Sequence, residues 1–138
     1  MSNEEELNKY MMLIEQYKEQ LNQLEMQSQY IQAAIQDYIK AKMTIEKLSD
    51  EKKDSEIIMP IGGSTYLNAK AEDPSKVLFD IGAGYVIEKK SEDAIKKIDK
   101  RIEDLEKSVE KVQNYIKHVQ SEANECAVEA QKLYQQQN

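Results

Sequence analysis

Residues 55–90 read SEIIMPIGGSTYLNAKAEDPSKVLFDIGAGYVIEKK, and this stretch decides the fold. The run 56–61, which is apolar after Glu56, precedes Gly62-Gly63, a pair typical of a two-residue hairpin turn. Residues 64–72 then alternate between two faces, as a β-strand requires. Pro60 cannot donate to a ladder, so its strand is expected at an edge or a bulge. The first half of the stretch therefore predicts a β-hairpin.

The second half of the stretch predicts another hairpin. Asp73-Pro74-Ser75-Lys76 suits a type I turn, Val77, Phe79 and Ile81 share one face, and Gly82-Ala83-Gly84 turns the chain into a strand that begins at Tyr85. Two short hairpins bury too little surface to be stable alone and leave open edges. We therefore expect an obligate oligomer whose contacts come from apolar hairpin residues. These are Ile57, Ile58, Met59, Ile61, Tyr66, Leu67, Val77, Phe79, Ile81, Tyr85 and Ile87.

A long heptad helix precedes the hairpins. Ser2 and Glu5 fit a capping box, which predicts a helix start close to Ser2. A strict 3-4 spacing over this distance predicts a left-handed coiled coil. Ser28 and Lys42 are its two polar positions, and the pattern fades after Leu48 into a charged connector. The predicted seam is Leu7, Tyr10, Ile14, Tyr17, Leu21, Leu24, Ser28, Ile31, Ile35, Tyr38, Lys42 and Ile45.

A second heptad helix follows the hairpins. Ser91 is the expected N-cap, with Glu92 and Asp93 favourable in the first turn. Its seam is entirely apolar: Ile95, Ile98, Ile102, Leu105, Val109, Val112, Ile116, Val119, Ala123, Cys126, Ala130 and Leu133. The predicted fold is α+β but mainly α, a long antiparallel two-helix coiled coil with two β-hairpins between the helices. We expect one domain over 1–138, with helices over about 2–48 and 91–136 and the hairpins over 55–90.

Antiparallel pairing brings the start of the chain to its end, at a tip remote from the hairpins. Tyr10-Met11-Met12-Leu13-Ile14 is apolar around the whole helix, although only Tyr10 and Ile14 belong to the seam. Exposed methionine suits a surface that accepts many shapes, and an exposed apolar patch usually marks interaction. The competing interpretation is a frayed end whose extra apolar residues fold onto one another. We favour interaction, through Leu7, Tyr10, Met11, Met12, Leu13, Leu133 and Tyr134.

Composition narrows the function classes. Charged residues make up 33% of the chain, the mean hydropathy is −0.77, and the net charge is −7. This balance disfavours nucleic acid and anionic membranes as partners. No apolar run is long enough to span a bilayer, and the acidic start lacks the apolar core of a signal peptide. The single cysteine fits a reducing compartment, so a cytoplasmic location is expected.

No enzyme or cofactor site emerges from the residues. The two glycine clusters lack the residues of a phosphate loop or a dinucleotide fingerprint and are better interpreted as hairpin turns. His118 is the only histidine and is expected in solvent, so no histidine-based metal cluster can form. Cys126 lies on the seam and is interpreted as a small core residue. We predict no catalytic activity, no metal and no cofactor.

The order of helix, two hairpins and helix resembles the prefoldin family, specifically its α class, over essentially the whole chain. The most specific parts are Ile58 to Tyr66 and Val77 to Lys89, which resemble the α-class apolar-Pro-apolar-Gly-Gly-Ser and Asp-x-Gly-x-Gly-Tyr segments. The resemblance implies a hexamer of two α and four β subunits with a β-barrel base. It further implies ATP-independent capture of non-native proteins at the coiled-coil tips, for delivery to a group II chaperonin. An archaeal source is favoured, and a eukaryotic homologue stays open.

The tip residues follow no fixed family motif, so their assignment to client contact comes from position and chemistry. Two alternatives stay open. One is a prefoldin-like paralogue that forms homo-oligomers or filaments, and the other is a structural coiled-coil adaptor that binds one folded partner.

Overall fold

The computed structural model describes residues 2–137 and confirms the predicted fold class, with two long helices and two hairpins between them. The elements, in chain order, are α1 (Asn3–Ser49), β1 (Ser55–Gly62), β2 (Thr65–Ala71), β3 (Lys76–Gly82), β4 (Tyr85–Lys90) and α2 (Ser91–Gln137). Each hairpin is a separate two-stranded antiparallel sheet, β1 with β2 and β3 with β4. The hydroxyl of Ser2 accepts from the N–H of Glu5 at 3.2 Å, so the predicted start of α1 is capped as expected.

The described residues form two compact units. Unit 1 comprises the described parts of Met1–Ala34 and Leu105–Asn138, and unit 2 comprises Ile35–Asp104. Every residue of the two predicted seams is buried or half-buried. The heptad spacing therefore identified the packed face of both helices.

In unit 1, segments of α1 and α2 pack along the seam around Val112, Ile116 and Val119. Ser28 is the polar exception on α1 and is only 3% exposed. Its hydroxyl accepts from the side-chain amides of Gln32 and Gln113, both at 3.1 Å. A buried polar group that is satisfied by the facing helix fixes the register of the pair.

Unit 2 contains both hairpins, the C-terminal part of α1 and the N-terminal part of α2. The core cluster consists of Ile45, Phe79, Ala94 and Ile98, so α1, β3 and α2 all contribute to it. Lys42, the second polar seam residue, lies 2.8 Å from the carboxylate of Asp99. That carboxylate raises the pKa of the Lys42 ammonium by accepting its hydrogen bond. In this unit, too, the polar seam position is paired across the two helices, in antiparallel order.

The turn between the two hairpins is tied to the start of α2. The N–H of Lys76 donates to the carbonyl of Asp73 at 3.2 Å, as the predicted type I turn requires. Ser91 opens α2 and is 5% exposed. Its N–H donates to the carbonyl of Ser75 at 2.9 Å, and its hydroxyl donates to the carbonyl of Pro74 at 3.3 Å. The Ser91 side chain therefore holds the turn against the helix.

The tight turn of the first hairpin lies one residue later than predicted. In the first hairpin Gly62 still pairs with Thr65, so the two-residue loop is Gly63-Ser64 rather than Gly62-Gly63. Both loop residues have positive φ, 53° and 59°, as a type I′ turn demands. The register shift between Pro60 and Gly62 is a bulge next to the proline, one of the two settings predicted for it, and Gly62 adopts a φ of 108° there.

The second hairpin repeats this arrangement. Its loop is Ala83-Gly84, and Gly82 follows a register shift after Asp80. The carboxylate of Asp80 accepts from the N–H of Gly82 at 2.8 Å and so stabilises the shifted backbone. The predicted three-residue turn is therefore a two-residue loop preceded by a bulge.

Candidate interaction surfaces

The candidate tip residues all fall in unit 1, and we call this set the terminal patch: Leu7, Tyr10, Met11, Met12, Leu13, Leu133 and Tyr134. Leu7, Tyr10 and Leu133 are half-buried seam residues, and Leu13 is also half-buried. Met11, Met12 and Tyr134 are 55%, 66% and 56% exposed. The exposed part of the patch is therefore dominated by two adjacent methionines and one tyrosine.

Met11 and Met12 line a shallow groove on α1 together with Asn8, Glu15 and Gln16. Glu15 is four residues after Met11 and three after Met12, so its carboxylate lies on the same helical face as both side chains. The two thioether chains are unbranched and can adapt their shape to a partner. The groove thus combines a deformable apolar floor with one carboxylate.

Val128 of α2, which lies outside the seam, is 47% exposed. The surface of unit 1 also carries large apolar residues for which no role was predicted. Tyr30, Tyr115 and Met26 are 84%, 63% and 69% exposed. Tyr115 lines a second groove with Leu24, Gln27, Ile31, Ser108, Lys111 and Val112. The exposure of Tyr30, Tyr115 and Met26 could have been predicted from the sequence, because they lie outside the seam, where a solvated helix normally carries polar residues.

The hairpins carry the second candidate surface. Most of the predicted assembly residues are well exposed within the single chain: Ile58, Met59, Ile61, Tyr66, Leu67, Ile81, Tyr85 and Ile87. Such a concentration of exposed apolar residues on two short sheets is typical of an interface. We call this set the hairpin surface.

Three predicted assembly residues do not belong to the hairpin surface. Ile57 and Val77 are half-buried, and Phe79 is only 8% exposed because it packs in the core cluster of unit 2. Phe79 therefore holds its hairpin to the helices of its own chain. Alternation in the sequence showed which residues share a face with Phe79, but it did not show which face the helices cover.

Two exposed residues on the other face of the second hairpin were missed. Leu78 and Val86 are 76% and 55% exposed. Leu78 pairs with Glu88 and Val86 with Asp80, whereas Phe79 pairs with Ile87. Both faces of this hairpin therefore carry apolar side chains: Phe79 packs against its own chain, whereas Leu78 and Val86 on the other face are exposed to solvent.

Arg101 is the only arginine in the sequence, and sequence reasoning assigned it no role. Its guanidinium donates to the hydroxyl of Tyr38 at 3.0 Å and approaches the carbonyl of Asp80 at 3.5 Å. Its central carbon lies 4.8 Å from the centroid of the Phe79 ring. Arg101 thus joins α2, α1 and β3 within unit 2.

The two remaining candidates for site chemistry, His118 and Cys126, lie on α2. His118 has a 70% exposed side chain, 3.8 Å from Glu122, and Cys126 is a half-buried free thiol on the seam. Among residues 2–137, no group of three or more His, Cys, Asp or Glu side chains could hold a metal ion. Within the same range, neither helix has an apolar stretch that could cross a membrane.

Two long helices with heptad seams that bracket two antiparallel hairpins define a helix–hairpin–hairpin–helix fold, with exposed apolar residues on both hairpins. The sequence model of the family described as "Prefoldin subunit" matches residues 17–136. The chain belongs to the prefoldin subunit family.

Relatives and a solved structure agree with this placement. "Prefoldin subunit alpha" of Methanosarcina barkeri is 29% identical, over 88% of this chain and 86% of that protein. "Prefoldin subunit alpha 1" of Thermococcus kodakarensis is 37% identical over 45% of this chain, a match that spans 42% of the relative's length. The predicted resemblance to α-class subunits is thereby confirmed. A chain of the filamentous prefoldin of Methanocaldococcus jannaschii shares the fold, with a TM-score of 0.62, 19% identity, and coverage of 90% of this chain and 97% of that one.

Proposed function

We propose that this protein is the α-class subunit of a cytoplasmic, ATP-independent chaperone that binds non-native proteins through the terminal patch and delivers them to a group II chaperonin. Residues 1–138 act as one module in this proposal, and the subunit needs neither a cofactor nor a catalytic site. The observation that carries the proposal is the exposure of Met11 and Met12, outside the seam, on a family member whose seam residues are all buried or half-buried.

The chemistry of the patch suits weak capture of many partners. Burying a methionine contributes about 1.5–3 kcal/mol, and each of these side chains is already partly covered, so about 1 kcal/mol per residue is available. Two such contacts correspond to roughly a 30-fold gain for one subunit. That gain is too small for stable capture by one subunit, so several subunits must act on one client together.

The test replaces Met11 and Met12 with Ser in the assembled complex and measures suppression of client aggregation. We expect suppression to fall markedly. The matched control is Met26→Ser with Met43→Ser, since these methionines lie on the same helix, outside the patch, and are 69% and 50% exposed. Equal suppression by both variants would remove the patch from the client site.

We also propose that the hairpin surface pairs this chain with β-class prefoldin subunits, two α with four β, and that the hairpins close into a β-barrel base. The support is the exposed apolar character of both hairpins and their open strand edges. Native mass and subunit composition of the complex isolated from its own cells test this. Two copies with four smaller coiled-coil subunits are expected.

A second candidate is a homo-oligomer or filament of this chain. The outward face of the second hairpin favours it, since Leu78 and Val86 offer an apolar strip that a second copy could cover. A complex that contains only this chain would support the second candidate and refute the mixed hexamer. Selective binding of one native protein would instead indicate a coiled-coil adaptor.

A further inference from the structure

The end of unit 1 that carries the terminal patch is strongly acidic. Residues 2–19 hold five carboxylates and two lysines, and residues 119–136 hold three carboxylates and one lysine. The rest of unit 1, residues 20–34 and 105–118, is balanced, with three carboxylates and three lysines. Five of the seven net negative charges of the chain therefore lie in the two segments that bear the patch.

The carboxylates are placed next to the exposed methionines and are only partly neutralised. Glu15 lines the groove of Met11 and Met12. Its contact with Lys18 is 3.5 Å long, and both side chains are largely exposed, so this pair is weak and readily exchanged. Glu5 and Glu19 lie seven residues before and after Met12, on the same helical ridge. The apolar groove of Met11 and Met12 is therefore flanked by carboxylates.

A carboxylate of the α2 segment also acts on the seam at this end of unit 1. Burial raises the pKa of the Tyr17 phenol, and the nearby carboxylate of Glu122 raises it further. Surface carboxylates attract a cationic segment across about a Debye length and repel an anionic one. A ligand of this surface is thus selected by its charge as well as by its apolar side chains.

We propose that the terminal patch selects client segments in which apolar residues are flanked by Lys or Arg, and that it discriminates against segments flanked by Asp or Glu. This inference rests on the proposed chaperone function and names the substrate class of the same surface. A second copy of the patch is disfavoured as the occupant, because two surfaces of like charge repel each other.

The test uses the full chain in its native assembly and two fluorescent peptides with the same apolar core, one flanked by lysines and one by glutamates. Anisotropy titrations should show the lysine-flanked peptide bound several-fold more tightly at low salt, with most of the difference lost at high salt. Replacing Glu15 and Glu19 with Gln should weaken the lysine-flanked peptide about threefold and leave the glutamate-flanked one unchanged or slightly tighter. The matched control is Glu106→Gln with Glu110→Gln, in the balanced part of unit 1.

The outcomes separate this inference from the proposed function. Equal, salt-independent binding of both peptides would overturn the charge selection while leaving client capture intact. Binding of neither peptide would overturn both. Self-association of the assembly that disappears in the variant with Met11→Ser and Met12→Ser would identify a second copy as the occupant and overturn the inference as well.

Discussion

Arg101 is expected to fix the second hairpin to the helices of unit 2, and Arg101→Ala should loosen that hairpin selectively. The guanidinium lies over the Phe79 ring at 4.8 Å and donates to the Tyr38 hydroxyl at 3.0 Å. A partly exposed cation–π contact contributes about 0.5–1 kcal/mol, and a hydrogen bond from a charged donor about 1 kcal/mol after allowance for solvent. The 3.5 Å approach to the Asp80 carbonyl is too long to add much. The loss should therefore be about 2 kcal/mol.

Hydrogen exchange of the native assembly measures this loss locally. A change of about 2 kcal/mol corresponds to roughly 30-fold faster exchange at the amides of β3 and β4, with β1 and β2 little changed. Arg101→Lys should give an exchange rate between those of the wild type and Arg101→Ala. An ammonium lacks the planar group with which the guanidinium both covers the Phe79 ring and reaches the Tyr38 hydroxyl. The control is Lys100→Ala, whose exposed pair with Asp104 at 3.2 Å should be almost dispensable. If Arg101→Ala and Lys100→Ala gave the same exchange in β3 and β4, the proposed role of Arg101 would be wrong.

Two further predictions concern polar groups that hold local geometry. Ser28→Ala leaves the amides of Gln32 and Gln113 without their shared acceptor and should lower the local stability by about 1 kcal/mol. Faster hydrogen exchange around residue 28 would measure this loss, and Ser121→Ala on the exposed face of α2 is the control that should have no effect. The hydroxyl and N–H of Ser75 hold the pKa of the Asp73 carboxyl below its usual value, so the stabilisation is complete above about pH 4 and is lost as the pH falls through the lowered pKa. A carboxyl-carbon NMR titration that placed Asp73 at its usual value would contradict this, and Asp73→Asn should abolish the acid dependence of the turn.

The sequence allowed the helices and the number of hairpins to be predicted because both depend on periodicity. Apolar residues in a seven-residue repeat define a single face of a helix, so the packed face can be predicted from the spacing. Every predicted seam residue is buried or half-buried in the structure. The sequence allowed two positions for the first turn, because Gly62 is suited both to the loop and to the bulge that precedes it. Only the register decided between them, and it assigned the glycine to the bulge.

The contacts made by single side chains could not be predicted in the same way. Alternation predicted that Val77 and Phe79 share a face, but whether that face is covered depends on where the helices lie relative to the hairpin. Arg101 sits among many charged helix residues, and nothing in its local sequence marks it. Met11 and Met12 could be recognised in advance because they break the polar pattern outside the seam, which is a local signal.

The two exposed apolar surfaces differ in chemistry in a way that separates their proposed roles. The hairpin surface is rich in isoleucine, and the β-branched side chains of Ile58, Ile61 and Ile81 have few rotamers and suit one fixed partner. The terminal patch exposes unbranched methionines, which lose more side-chain entropy when they are fixed but adapt to many shapes. A surface for permanent assembly gains from rigidity, whereas a surface for changing clients gains from adaptability. The distribution of isoleucine and methionine between the two surfaces is therefore the pattern expected if the hairpins assemble the complex and the patch binds its clients.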